Sequence, residues 1–319
     1  MLDIFNPLLR RGNANGTCTK ATCTYIWSVY GYQPSLAATI LFLLLFFFSG
    51  LTYIYQGYKT KTWFFTIAMT LGCFSEVLGY VAKMLLWQDP FSDAGFKMSV
   101  TLLTFAPAFY AAGIYYTLKH ICLTFSVELS RVRPIWYTRV FITCDVISIL
   151  LQASGGVVAS ISWNKFILDI GDDIMITGLA TQVVTLVIFG ALAAEYGGKV
   201  YKNQHQLNQA TAELRRSKMF KLFLMALWVA YFGILIRCCY RVAELCRGWG
   251  GQNYIMRNQA LFIGLDSVPV AIASIVLNIW HPGWCFPKQA IGQDTTVSPR
   301  SGPEKGGSGE SSVEEVSQV

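Results

Sequence analysis

Nine polar or ionisable side chains sit inside stretches otherwise made of Leu, Ile, Val, Phe and Ala: Glu76, Lys83, Asp145, Gln152, Gln182, Arg237, Arg241, Glu244 and Asp266. A charge held in hydrocarbon costs roughly 3 kcal/mol on insertion scales, so such residues turn toward a bundle interior and find partners. Spacing groups them. Glu76 and Lys83 are seven residues apart, two helical turns on one face, and Arg237, Arg241 and Glu244 share a face in the same way. Guanidinium groups grip phosphate or carboxylate through paired N–H bonds, while carboxylates such as Glu76 and Asp266 hold an amine. Together the set reads as the lining of a polar cavity that accepts a zwitterionic or amino-bearing headgroup. For any single residue the plainer alternative is an interhelical ion pair or hydrogen bond that fixes helix register.

Other chemistries find less support. The chain has three histidines, His120, His205 and His281, none in an HExxH pattern and all in loops or at helix ends, where contact with water accounts for them. No metal site, cofactor or catalytic residue is therefore expected, and the chain is not read as an enzyme. A phosphate-binding Walker sequence is missing, which argues against ATP hydrolysis by this chain. The net charge of +7 does not indicate a nucleic-acid partner, because the basic residues lie in loops between apolar blocks.

Those blocks are the elements that must position the nine residues. At 54% hydrophobic and 13% charged, the 319 residues carry too little polar surface to cover a water-soluble globule. Seven apolar stretches, near 34–55, 63–86, 98–118, 137–161, 174–195, 219–241 and 259–280, each reach the length a helix needs to cross about 30 Å of hydrocarbon. The expected fold is an all-α integral membrane protein with seven transmembrane helices over 34–282. Pro107 and Pro269 interrupt the hydrogen-bond ladder of the third and seventh, and Gly155-Gly156 admits a close neighbour to the fourth.

Loop charge sets the expected orientation. The first, third and fifth loops hold twelve basic residues, from Lys59 and Lys61 to Lys218 and Lys221, against four in the second, fourth and sixth, where five aspartates also lie. The positive-inside bias places the odd loops and the C-terminus in the cytoplasm and the N-terminus outside. Residues 1–33 then form an extracellular segment, in which the sequon at Asn15 can be glycosylated and Cys18 with Cys23 can close a disulfide. Residues 283–319, rich in Ser, Gly, Glu and Lys, read as a disordered cytoplasmic tail.

Several short motifs recur around these charges. Tyr32-Gln33-Pro34-Ser35 opens the first helix, Glu76-Val77-Leu78-Gly79-Tyr80 lies in the second, and Ala106-Pro107 with Tyr115 in the third. Asp145-Val146-Ile147-Ser148 with Gln152, Gly178-Leu179 with Gln182, Tyr240-Arg241, Asp266 and His281-Pro282-Gly283 complete the order. The set resembles the fungal RTA-like family of lipid-translocating exporters. The resemblance implies a plasma-membrane protein, in some members an endomembrane one, that moves sphingoid long-chain bases or related toxic amphiphiles and drugs. Where the family's second-helix motif ends in Arg this chain has Lys83, which keeps the charge and loses the bidentate fork. The expected function is therefore facilitated transport of a lipid-like amphiphile, and the competing one is a seven-helix sensor or receptor of lipid or membrane stress. The third and seventh helices lack the signature patterns of G-protein-coupled receptors.

Overall fold

A computed structural model describes residues 28, 30–125, 130, 131, 133–161, 165–203, 217–248 and 253–285; Asn15, Cys18, Cys23, His205 and the tail beyond residue 285 lie outside the described residues. Six long helices come first: α1 (Leu36–Thr60), α2 (Trp63–Gln88), α3 (Asp93–Phe125), α4 (Pro134–Ile161), α5 (Lys165–Lys202) and α6 (Lys218–Leu245). Two short turns, α7 (Tyr254–Arg257) and α8 (Gln259–Leu261), lead through a π-helical stretch, Phe262–Ser267, into α9 (Val268–Ile279) and α10 (Pro282–Cys285). The stretch Gln259–Cys285 serves as the seventh of seven spans long and apolar enough to cross a membrane. The protein is an integral, multi-pass membrane protein.

Local chemistry explains the element ends. Ser35 caps α1 by accepting a bond from the Ala38 N–H at 3.5 Å, and α1 stops at Lys61, whose left-handed backbone (φ 60°) donates its N–H to the Gly57 carbonyl at 2.8 Å. Only Lys61 and Thr62 separate α1 from α2, so the two pack antiparallel. Pro134 begins α4, where its missing N–H is one the first turn would leave unpaired anyway. Asn253 and Asn258 cap α7 and α8 through their side-chain oxygens. Pro269 stands in the first turn of α9, directly after the π-helical stretch, so the interruption expected there takes the form of a widened turn rather than a simple kink.

Successive helices pack side by side from α1 to α6, α9 closes the ring by packing on both α6 and α1, and α3 reaches across to touch α6. The lipid-facing surface is apolar, with Leu41, Phe48, Leu150, Met225 and Phe232 exposed. The interior holds the polar groups, the reverse of a water-soluble fold. Between α4 and α5 the backbones nearly touch. A Cβ at Gly155 would stand 2.5 Å from the Gly171 carbonyl oxygen, and one at Gly178 would stand 2.8 Å from that of Ser148, so glycine is required at both. A Cβ at Gly156, paired with Gly155 by sequence, would meet nothing within 4 Å, so glycine is not required there.

Two histidines differ from expectation. His281 is fully buried, its ring edge-on to Phe65 at 5.1 Å with Nδ1 accepting from the Gly283 N–H at 3.1 Å, and His120 is also buried. Solvation explains neither: His281 follows the end of α9, His120 lies within α3 rather than at its end, and both are covered by aromatic neighbours, Tyr53 and Phe65 for His281 and Tyr116 for His120.

Candidate functional site

Six of the nine polar residues converge between α2, α6 and the seventh span. Glu76 and Lys83 come from α2, Arg237, Arg241 and Glu244 from α6, and Asp266 from the π-helical stretch. The widened turn carries Asp266 onto the face of α6 that presents both arginines, and Arg237 is the largest fully buried side chain among the described residues. Its Nη1 donates to the Glu76 carboxylate, its Nη2 to the Leu103 carbonyl of α3, and its Nε lies 3.4 Å from Asp266 Oδ1. Arg241 grips Asp266 with both arms of its fork, Nε to Oδ1 at 2.6 Å and Nη2 to Oδ2 at 3.1 Å, while its Nη1 donates to Glu244 Oε2 at 2.9 Å.

Lys83 completes the group differently. Its ammonium makes no ion pair within 4 Å among the described residues and stands over the Phe262 ring, 2.9 Å from the centroid, with the Tyr30 ring at 5.6 Å. With all six ionised, the three cations Lys83, Arg237 and Arg241 balance the three carboxylates Glu76, Glu244 and Asp266. The arrangement is closed: every carboxylate already faces a guanidinium, and the void bounded by Tyr30, Arg241, Glu244 and Met256 measures about 10 Å³, room for about one water molecule. Where the sequence suggests a polar cavity lined by the cluster, the described residues form ion pairs with each other. Arginine in a low-dielectric interior takes the carboxylates nearest to it before any ligand arrives.

The remaining three residues lie apart. Gln152 of α4 donates to Gln182 of α5 at 3.1 Å, a bond that fixes the register of those helices beside the Gly178 contact. Asp145, two turns before Gln152 on the same face of α4, is buried without a hydrogen bond of ordinary geometry, and the Tyr115 hydroxyl of α3 faces it. A further polar seam joins α1 to α9, where Ser49 and Ser274 share a hydroxyl bond at 2.6 Å, Tyr53 donates to the Ser274 carbonyl at 2.8 Å and Gln56 to the Asn278 carbonyl at 2.9 Å. These residues are uncharged and common at helix interfaces, so their types alone do not single them out.

The large open space lies elsewhere. A cavity of about 620 Å³ opens between α3, α5 and α6, in the half of the bundle that carries the α1–α2 turn. Its walls are aliphatic and aromatic, among them Leu118, Phe189, Tyr196, Phe220, Trp228 and Tyr231. The inner end is sealed by aromatic stacking: Tyr231 donates to the Leu186 carbonyl at 3.0 Å, and Phe189 packs on Tyr115 with centroids 4.4 Å apart. Asp145 is thus one aromatic layer behind the seal. Aromatic residues at helical spacing ordinarily mean core, and no charged signal marked this cavity in the sequence.

Comparison with known proteins bears on both features. The family described as "RTA1 like protein" matches residues 69–289, a stretch holding all six clustered charges and every wall of the cavity. The "Sphingoid long-chain base transporter RSB1" of Saccharomyces cerevisiae (strain Lalvin EC1118) is 30% identical over 288 residues, covering 81% of this chain and 75% of that protein. The "Probable lipid transporter atnI" of Emericella nidulans is 22% identical over 260 residues, covering 80% of this chain and 68% of its own, and "Protein RTM1" of Saccharomyces cerevisiae is 25% identical over 299 residues, covering 78% and 90%. No solved structure matches the chain. By the extent of that match and the identity to these relatives, the chain belongs to the RTA1-like family.

Proposed function

We propose that this protein moves a lipid-like amphiphile across the membrane, with the aliphatic part of the substrate held in the α3–α5–α6 cavity. The carrying observation is the cavity itself: about 620 Å³, walled by aromatic and aliphatic side chains and set within the membrane-spanning half of a bundle. The relatives named as transporters of a sphingoid base or a lipid support the same reading and favour a transporter over an enzyme. The charge bias of the loops supports an N-terminus outside and a C-terminus in the cytoplasm, which puts the cavity in the cytoplasmic half, and the plasma membrane is the proposed site of action. The ion-paired cluster of α2, α6 and the seventh span then closes the opposite, outer half of the bundle. Such a facilitator works downhill or by proton coupling through Glu76, Asp145 or Asp266, without ATP hydrolysis of its own.

Proteoliposomes holding the purified protein, loaded with a fluorescent sphingoid base, test this directly. Protein-dependent loss of the base from the donor leaflet is expected, at a rate that falls when Phe189→Trp narrows the cavity. No protein-dependent movement of any amphiphile, with a ligand-dependent change at the cytoplasmic face instead, would replace transport by the sensor reading.

A further inference from the structure

The cavity's walls are aliphatic and aromatic except at the N-terminal end of α6. Among the described residues that line it, Lys221 alone is charged, and Lys221 sits one residue beyond Phe220 at the start of α6. The α6 wall runs from Phe220 to Tyr231, about 16 Å of helix, close to half of the roughly 30 Å hydrocarbon thickness and so the depth one lipid tail covers. A tail lying in the cavity with its end against the Phe189–Tyr231 seal places the headgroup beside the Lys221 ammonium.

The surrounding charges agree in sign. The described residues at this end of the bundle include Lys59, Lys61, Lys119, Arg131, Arg133, Arg139, Lys199, Lys202, Lys218 and Lys221. The acid among them is Glu195, and it is already engaged by Lys199 at 2.9 Å and Arg131 at 3.4 Å. Among the described residues a cationic headgroup there meets like charge, with the one nearby carboxylate, Glu195, already paired, whereas an anionic one gains from Lys221 and from the summed field. From this geometry we infer that the cavity binds an amphiphile with an anionic headgroup, a phosphate or a carboxylate, its alkyl chain inside and its headgroup at Lys221. This rests on the reading of the cavity as the amphiphile's site, and it departs from the cationic bases named for the yeast relative.

Three probes with one chain length separate the headgroups: hexadecyl phosphate, palmitate and hexadecylamine, each radiolabelled and bound to the full-length protein in nanodiscs of zwitterionic lipid, with empty discs subtracted. Both anions are expected to bind more tightly than the amine, and whichever anion leads identifies the headgroup. Lys221→Gln lowers anion affinity about fivefold, the worth of one basic residue near a charged partner, and Lys221→Arg restores it. Lys221 is solvent-exposed, so these variants leave the fold intact. Gly197→Leu, at a lining position where an added Cβ meets nothing within 4 Å, weakens all three probes. Amine binding as tight as anion binding, or an anion preference untouched by Lys221→Gln, overturns the inference. Amine binding abolished by Asp145→Asn overturns it too, by placing the headgroup at the sealed end. Because the readout is binding, protein-dependent flux of a sphingoid base with no anion preference keeps the transport reading and removes this one.

Discussion

Removing the charge of Glu76 while keeping its shape tests whether the closed cluster holds the bundle together. In Glu76→Gln the fully buried Arg237 loses its direct carboxylate, keeps the Leu103 carbonyl and leans on Asp266 at 3.4 Å, an oxygen that Arg241 also uses at 2.6 Å. The six-group sum moves from zero to one uncompensated positive charge in a fully buried site. Breaking one partner out of a buried pair costs about 3–5 kcal/mol, and the second carboxylate places this case near 3 kcal/mol. Against a total stability of about 5–15 kcal/mol, that is a large share. Arg237→Gln leaves the opposite imbalance and a similar loss. The double variant Glu76→Gln/Arg237→Gln restores neutrality, so it should be more stable than the sum of the single losses by at least about 2 kcal/mol. Unfolding in mixed micelles, followed by loss of helical signal, gives all four stabilities. Single variants within about 0.5 kcal/mol of the parent, or a double variant equal to the sum of the singles, would refute the account of a mutually neutralised cluster.

Four further outcomes follow from other contacts. Lys83→Met keeps the stem and removes a buried ammonium that has no ion-pair partner among the described residues, so stability in the same unfolding assay should fall by less than about 1 kcal/mol, well below the loss at Glu76. Gly155→Leu should abolish monodisperse protein on size-exclusion chromatography, since its Cβ would lie 2.5 Å from a backbone oxygen, while Gly156→Leu elutes as the parent does. Asp145→Leu removes a buried carboxylate lacking an ordinary hydrogen bond, and its melting temperature should match or exceed the parent's. Phe262→Ala strips the ring from beneath Lys83 and opens a void, at a cost of about 3–5 kcal/mol by thermal unfolding.

What the sequence disclosed and what it withheld divide along physical lines. Apolar runs of spanning length need no tertiary context, because backbone satisfaction in lipid forces them into helices, and seven helices long and apolar enough to span a membrane stand in the structure. The face shared by Arg237, Arg241 and Glu244 follows from helical period alone, and so does the pairing of Glu76 with Lys83 along α2. Which groups then bond to which does not follow. The bidentate grip of Arg241 on Asp266 depends on a π-helical stretch whose signal in the sequence is Pro269, and a proline announces an interruption without stating its geometry. That one turn decides whether the two arginines are ligand donors or structural partners, since an Asp266 left off the α6 face would leave the Arg241 fork pointing at nothing but Glu244. The cavity was illegible for a related reason: a tyrosine facing a void and a tyrosine facing a neighbour occupy the same helical positions. Charge drew attention to the half of the bundle where space is smallest, and the room for a substrate lies in the half where Lys221 is the single charged wall residue among those described. In a membrane bundle, then, an intramembrane charge is better evidence of what holds two helices together than of where a ligand sits, until the empty volume around it is known.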